Sequence, residues 1–231
     1  MAKGRFTKSL YIFLRELEQN NERAWWEENK QRYINTIREP ALEFIEGFGP
    51  RLSKISPHFV ADPRTVGGSL MRPYRDVRFS KDKTPYKTNV GIQFRHVMGK
   101  DVHAPGFYLH LEPRSSYAGV GIWRPNAATA RQVRQAIHDD PAAWRRAAKG
   151  KAFADVWETE REEETMLKRV PNELGPDHPH ADDLRLRSFV ASARLSQADV
   201  TSEGFDANLA AMYRRASAYT RFVCEAIGAP F

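Results

Sequence analysis

Apolar residues recur along the first fifty positions at helical spacing. Phe6, Leu10, Phe13, Leu14 and Leu17 fall on one face of an amphipathic helix. Asn20 and Asn21 end it, and either side chain can cap the next helix. Trp25, Asn29, Tyr33 and Ile37 continue the spacing there. Pro40 breaks this second helix or opens another at its first turn. Ala41, Phe44, Ile45, Phe48 and Leu52 supply a further stripe, interrupted at Gly49 and Pro50. The first quarter is therefore predicted to be a helical layer whose Trp and Phe side chains form core.

The pattern then changes. Residues 56–68, with Pro57, Pro63, Gly67 and Gly68, read as a connection holding a short strand at Phe59 and Val60. Residues 69–77 read as a strand that Pro73 confines to an edge or a bulge. Residues 89–97 alternate, with Val90, Ile92 and Phe94 set against Asn89, Gly91, Gln93 and Arg95. Residues 107–112 and 116–123 give two more strands. Close spacing and turn-like links favour an antiparallel meander over parallel crossovers.

Asn126 is placed to cap a helix that carries Val133, Ala136 and Ile137 inward. Asp140 followed by Pro141 starts another, which carries Trp144 and ends near Gly150. The acidic residues 155–164 read as a solvated face or loop. Short and longer strands are expected at 166–171 and 184–195. Leu209, Met212, Tyr213, Ala216, Tyr219 and Val223 mark a C-terminal helix from Phe205. No repeat, linker or composition shift divides the chain. It is read as a single α+β domain over residues 1–231, a mainly antiparallel sheet packed against N-terminal, middle and C-terminal helices.

Composition narrows the class of partner. The chain has 231 residues and a formal net charge of +7, which favours an anionic ligand: nucleotide, nucleic acid or acidic metabolite. Its single cysteine, Cys224, cannot form a disulfide within the chain and reads as a small buried hydrophobe. The N-terminus has no apolar signal-peptide region, and no run approaches the roughly 20 apolar residues of a membrane span. A cytoplasmic protein without a membrane partner is expected.

The positive charge is concentrated. Residues 72–95 hold Arg72, Arg75, Arg78, Lys81, Lys83, Lys87 and Arg95 against only Asp76 and Asp82. Solvated charge runs lack aromatics, whereas this one interleaves Tyr74, Phe79, Tyr86 and Phe94 with a turn through residues 80–85. As a strand it would set Arg72, Tyr74, Asp76 and Arg78 on one face. Asp76 would orient one guanidinium and leave the other for a ligand. Ser80, Lys81, Lys83 and Thr84 add donors from the turn. The ligand-binding set is thus Arg72, Tyr74, Arg75, Arg78, Ser80, Lys81, Lys83 and Lys87. A second reading of the same residues is a buried salt-bridge network of Arg75, Asp76, Arg78 and Asp82 that pins the turn. The segment lacks the spacing of a Walker phosphate loop.

Two other places carry chemistry. On residues 107–112, Tyr108, His110 and Glu112 share a face suited to acid–base work, and Asp76 is a further candidate if it lies nearby. The same face can equally be a half-solvated antiparallel surface. Asp177, His178, His180, Asp182 and Asp183 invite a metal reading, but Pro179 and local crowding favour a turn entering a helical turn or strand. No metal and no cofactor is expected.

Residues 20–33 (NNERAWWEENKQRY), 75–89 (RDVRFSKDKTPYKTN), 105–113 (PGFYLHLEP) and 119–125 (GVGIWRP) together resemble the bacterial and fungal domain-of-unknown-function family 2461. The resemblance extends to residues 184–189 (LRLRSF). The chain departs from the family's pattern at 170–175 (VPNELG). The resemblance implies one domain and supplies no catalytic residues. Three functions stand open: recognition of a phosphate-bearing ligand through residues 72–95, an enzyme acting on an anionic small molecule with Asp76, His110 or Glu112 as acid or base, and a module docking an acidic protein surface.

Overall fold

The computed structural model describes residues 6–99, 103–161 and 165–231. Six strands form one sheet in the order β1-β2-β3-β4-β6-β5: β1 Phe59–Val60, β2 Val90–His96, β3 Gly106–Leu111, β4 Tyr117–Ile122, β5 Glu158–Thr159 and β6 Phe189–Arg194. Every strand pair is antiparallel, and β1 to β4 form the expected meander. The α+β reading therefore holds.

Helices α1 (Lys8–Gln19), α2 (Arg23–Tyr33) and α3 (Glu39–Ser53) make the N-terminal layer. α4 (Ala127–Asp139) and α5 (Pro141–Lys149) follow β4, and helices Phe205–Arg215 and Ser217–Ala226 close the chain. The anticipated caps form: Asn126 accepts from the Thr129 N–H and Asp140 from the Ala143 N–H. Among the described residues no helix is long and apolar enough to cross a membrane.

The helices pack on one face of the sheet, where alternate residues point into the core. Phe94 stacks on Phe48 of α3 at 5.1 Å, and Phe107 meets Tyr213 at 4.8 Å. Ile92, Phe94, Phe107 and Leu109 are fully buried on this face. Cys224 is buried as well, and burial pushes its thiol up to about 12, so it stays protonated at neutral pH.

Several expectations are corrected. The prolines do not interrupt the N-terminal layer. A π-turn at Ile34–Arg38 joins α2 to α3 without a break, with the Glu39 N–H bonding to Ile34 O, and Pro40 stands in the first turn of α3, as one of the two readings had it. Pro50 lies inside α3, in its last turn. Glu46, whose carbonyl loses its partner there, is exposed, and solvent can take up that bond.

Asn20 and Asn21 do not cap α2, whose N-cap is Glu22 without a side-chain bond. The Asn21 amide instead makes both backbone bonds of Tyr86, accepting from its N–H at 3.0 Å and donating to its carbonyl at 2.9 Å. Residues 69–77 are not a strand. They contribute only bridges, Leu70 to Ile92 and Tyr74 to Tyr86, because the register shifts between the two and Pro73 has no N–H to continue the ladder.

Part of the acidic run is strand β5 at the sheet edge; residues 162–164 lie outside the described residues. Residues 166–171 form no strand. Residues 184–188 precede β6 as a helical turn and bends, and the C-terminal helix divides near Ala216.

Candidate functional site

The strand register dictates what lies on the sheet face away from the helices. Gly91 is opposite His110, and His110 is opposite Tyr117. In the next row Gln93 is opposite Tyr108, and Tyr108 is opposite Gly119. A third row holds Gly106 opposite Gly121. Polar rings thus stand among glycines, and the glycines leave space. The result is a cleft of about 900 Å³, floored by β2, β3 and β4. Residues 71–89 wall one side, and Trp123, Glu160, Val190 and Ala191 the other. This volume suits a metabolite-sized organic ligand.

Two glycines shape it. A Cβ on Gly91 would stand 2.8 Å from the Tyr108 hydroxyl and 2.9 Å from Met71 Sδ, closer than real contacts allow. Glycine there lets the hydroxyl lie against the sheet beside His110. Gly119 differs: a Cβ would meet Tyr108 Cβ at 3.5 Å, an ordinary contact. The fold does not require glycine at 119, and what its bareness keeps is cleft volume.

The ring face carries a connected chain of hydrogen bonds. The Tyr108 hydroxyl is 3.1 Å from His110 Nδ1, and His110 Nε2 is 3.3 Å from Glu112 Oε2. An ionised carboxylate only accepts, so Nε2 carries the proton of the neutral ring. Nδ1 then presents its lone pair to Tyr108 O–H. The Asn89 amide nitrogen, 3.5 Å from Nδ1, is a second donor. His110 also stacks on Tyr117, with ring centroids 4.7 Å apart and planes 14° from parallel.

Burial lowers the pKa of His110, opposed by Glu112, and it raises those of Tyr108 and Tyr117, the latter to about 12. Backbone anchors fix the ends of this chain. Tyr213 donates its hydroxyl to Tyr108 O at 2.7 Å from the core side. Buried Ser116 accepts from the Glu112 N–H at 3.0 Å and donates back to Glu112 O at 2.9 Å.

The basic segment divides. Its tip is exposed, and both of its acids are paired with arginines. Arg78 binds Asp76 through Nε and Nη2, at 2.9 and 2.7 Å. Arg75 binds Asp82 and Thr84 through Nη1. These bonds hold both carboxyls down at about 2. The paired arginines of the second sequence reading are therefore present, but at the surface rather than buried. Lys83 donates to Val77 O at 2.9 Å. Phe79 is 95% exposed, with the Arg78 guanidinium 5.8 Å above its ring.

Lys87 is different. It lines the cleft, is half-buried, and has no carboxylate or hydrogen-bond partner for its ammonium among the described residues. Burial and then the neighbouring Arg72 lower its pKa. Among the described residues the carboxylates lining the cleft are engaged: Asp76 with Arg78, Asp82 with Arg75, Glu18 with Arg114 at 2.8 Å, and Glu160 also. Among these residues the unmatched charge in the cleft is that of Lys87.

Of the residues picked from sequence, Arg75, Asp76, Thr84, Lys87, Tyr108 and His110 line the cleft together. Glu112 stands behind His110. Arg72, Tyr74, Arg78, Ser80, Lys81 and Lys83 are not among the lining residues. Asp76 is tied to Arg78 and is not poised as a base. Tyr117, Asn89, Gln93, Trp123 and Glu160 were not singled out as site residues. Strand alternation puts Tyr117 on one face, but only the pairing register brings it to His110.

His178 and His180 lie elsewhere, in a turn that leads into a helical turn at Ala181–Leu184. Asp183 there is buried and accepts from Trp144 Nε1 at 2.8 Å and from Arg161, a structural tie. Among the described residues no group of three or more His, Cys, Asp or Glu could hold a metal ion.

No curated protein and no solved structure matches the chain. The model of one family does, over residues 9–222, a span that contains every residue lining the cleft. Its description is a conserved hypothetical protein family, and the chain belongs to it: DUF2461.

Proposed function

We propose that this protein binds a small organic anion, bearing a phosphate or carboxylate, in the cleft, with Lys87 as the main counter-charge. One observation carries the reading: a half-buried ammonium without a partner on the wall of a cleft whose carboxylates are engaged. A desolvated cation without a partner is costly, and an anionic ligand relieves that cost. Arg75 adds donors, since its Nε and Nη2 make no hydrogen bond among the described residues. Tyr117 and Trp123 offer flat apolar faces for the ligand's body.

A nucleic-acid polymer is the weaker version, because the arginines that would track its phosphates are already paired with Asp76 and Asp82. Docking of an acidic protein surface has one observation in its favour, the exposed Phe79 beside Arg78.

Calorimetry with inorganic phosphate, pyruvate, dihydroxyacetone phosphate and a mononucleotide tests the reading. At least one should bind, and Lys87→Met should weaken it roughly 10- to 100-fold, the worth of one charge-assisted hydrogen bond. Absence of binding to any of them would sink the proposal. So would binding that Lys87→Met leaves unchanged. Steeply salt-dependent binding of a single-stranded oligonucleotide alone would move the ligand to the exposed tip.

A further inference from the structure

The bonded chain of Tyr108, His110 and Glu112 does more than line the cleft. Only Tyr108 and His110 of the three lie in the lining, and Glu112 stands behind the imidazole. The hydrogens run in one direction, from Tyr108 O–H to His110 Nδ1 and from His110 Nε2 to Glu112. Such an order moves charge away from the cleft when the phenol receives a proton. Resting on the anion-binding reading above, we infer that the cleft is catalytic: Tyr108, backed by His110 and Glu112, moves a proton to and from the carbon beside the carbonyl of a small anionic carbonyl compound.

The step balances. The substrate C–H bond breaks and its proton goes to the Tyr108 oxygen as the phenol's own proton passes to His110 Nδ1. The C–H electron pair becomes the carbon–carbon π bond, and the carbonyl π electrons move onto oxygen. The enolate so formed shares the cleft with the Lys87 ammonium. The imidazolium shares its Nε2–H with the Glu112 carboxylate. Return of the proton to the same or a different atom completes an enolisation, with no oxidant or reductant.

The environment suits these roles. Burial keeps His110 neutral at rest, as a proton acceptor must be, and the phenol of Tyr108 stays protonated until its proton can pass on. Gly91 admits the hydroxyl to its place beside the ring. Ser116 and Tyr213 hold the backbone at the two ends. Tyr108 is the catalytic residue, and His110 and Glu112 act through it.

The test follows solvent-deuterium exchange into pyruvate and into dihydroxyacetone phosphate by proton NMR, with binding measured on the same samples. The carboxylate and the phosphate probe distinguish the two kinds of anion. The wild-type chain should accelerate exchange of one of them over buffer by roughly 10²- to 10⁴-fold. Tyr108→Phe and His110→Gln should return the rate close to buffer while changing affinity less than about threefold. In nitrogen NMR, His110 should show a bare Nδ1 and a protonated Nε2, and Glu112→Gln should redistribute that proton.

Probes that bind but do not exchange would overturn this inference and leave the anion site standing. Exchange that survives Tyr108→Phe would overturn it as well. Failure of every anion to bind would remove the underlying reading, and the inference with it.

Discussion

Two neighbouring parts of one basic segment behave oppositely. At the tip, residues 76–83, charge is dense and exposed, both acids are held by arginines, and Lys83 donates to a backbone carbonyl. At the wall, residues 86–89, charge is sparse: one lysine, half-buried and unmatched, beside the ring face of the sheet. The tip accounts for most of what makes the segment look like a site in the sequence. The wall holds the charge that the fold leaves without a partner among the described residues. Exposed ion pairs contribute little net energy because water competes for both partners. A desolvated cation is an unfulfilled interaction, and a ligand can gain from it.

The largest effect expected is on the wall's foundation. Trp26 is 1% exposed and stacks on Tyr86 at 4.2 Å, with planes 13° from parallel. Trp26→Ala should cost about 3–5 kcal/mol, a fall in Tm on the order of 10 °C, measured by calorimetry. A fall of less than about 3 °C would mean that the wall is not anchored to α2.

Next in size is the floor. Gly119→Val puts a β-branched side chain on a strand position with room for its Cβ, so Tm should stay within about 2 °C. Anion affinity should drop at least tenfold, because the side chain occupies cleft volume. Unchanged affinity would place the ligand outside the cleft.

The smallest effect belongs to the tip. The triple substitution Arg78→Ala, Lys81→Ala, Lys83→Ala should change small-anion affinity less than about threefold, since these charges are screened or already spoken for. A tenfold loss would reverse the comparison and make the tip the site. The tip's pH response has a definite sign. Asp76 and Asp82 have folded pKa values depressed to about 2, so their contribution is present above the ordinary carboxylate range and lost as pH falls toward 2. Protection of the residue 76–84 amides, taken relative to their intrinsic exchange rate at each pH, should therefore fall between about pH 4 and 2 and stay level above it.

Much of the fold was legible because local rules decided it. Helical spacing located α1 to α3, caps at Asn126 and Asp140 set α4 and α5, and alternation marked β2, β3 and β4. The failures occurred where a distant partner outbid the local one. Asn21 looks like a cap but is spent on the Tyr86 backbone, 65 residues away. Residues 69–77 have strand composition, yet their bonds go partly to Tyr86 and its neighbours, so the register shifts and no continuous ladder forms. Pro50 survives in α3 because the carbonyl it strands lies on an exposed residue.

The site was half legible for the same reason. Alternation alone put Tyr108, His110 and Glu112 on one face. Which residues flank them depends on register, and register is a long-range property: Gly91 and Tyr117 reach His110 through pairing that no local pattern reports. The charge count drew attention to the exposed tip and not to the unpartnered Lys87, because composition records charges and not their partners.

The Asn21 amide has a dynamic consequence. By making both backbone bonds of Tyr86 it acts as a strand one residue long, and it stops any local opening that begins at the tip from spreading to the wall. The segment is therefore split kinetically at that residue. On the proposed reading, opening of the tip half governs how readily an anion enters the cleft, and the half clamped to the N-terminal helices governs how long it stays.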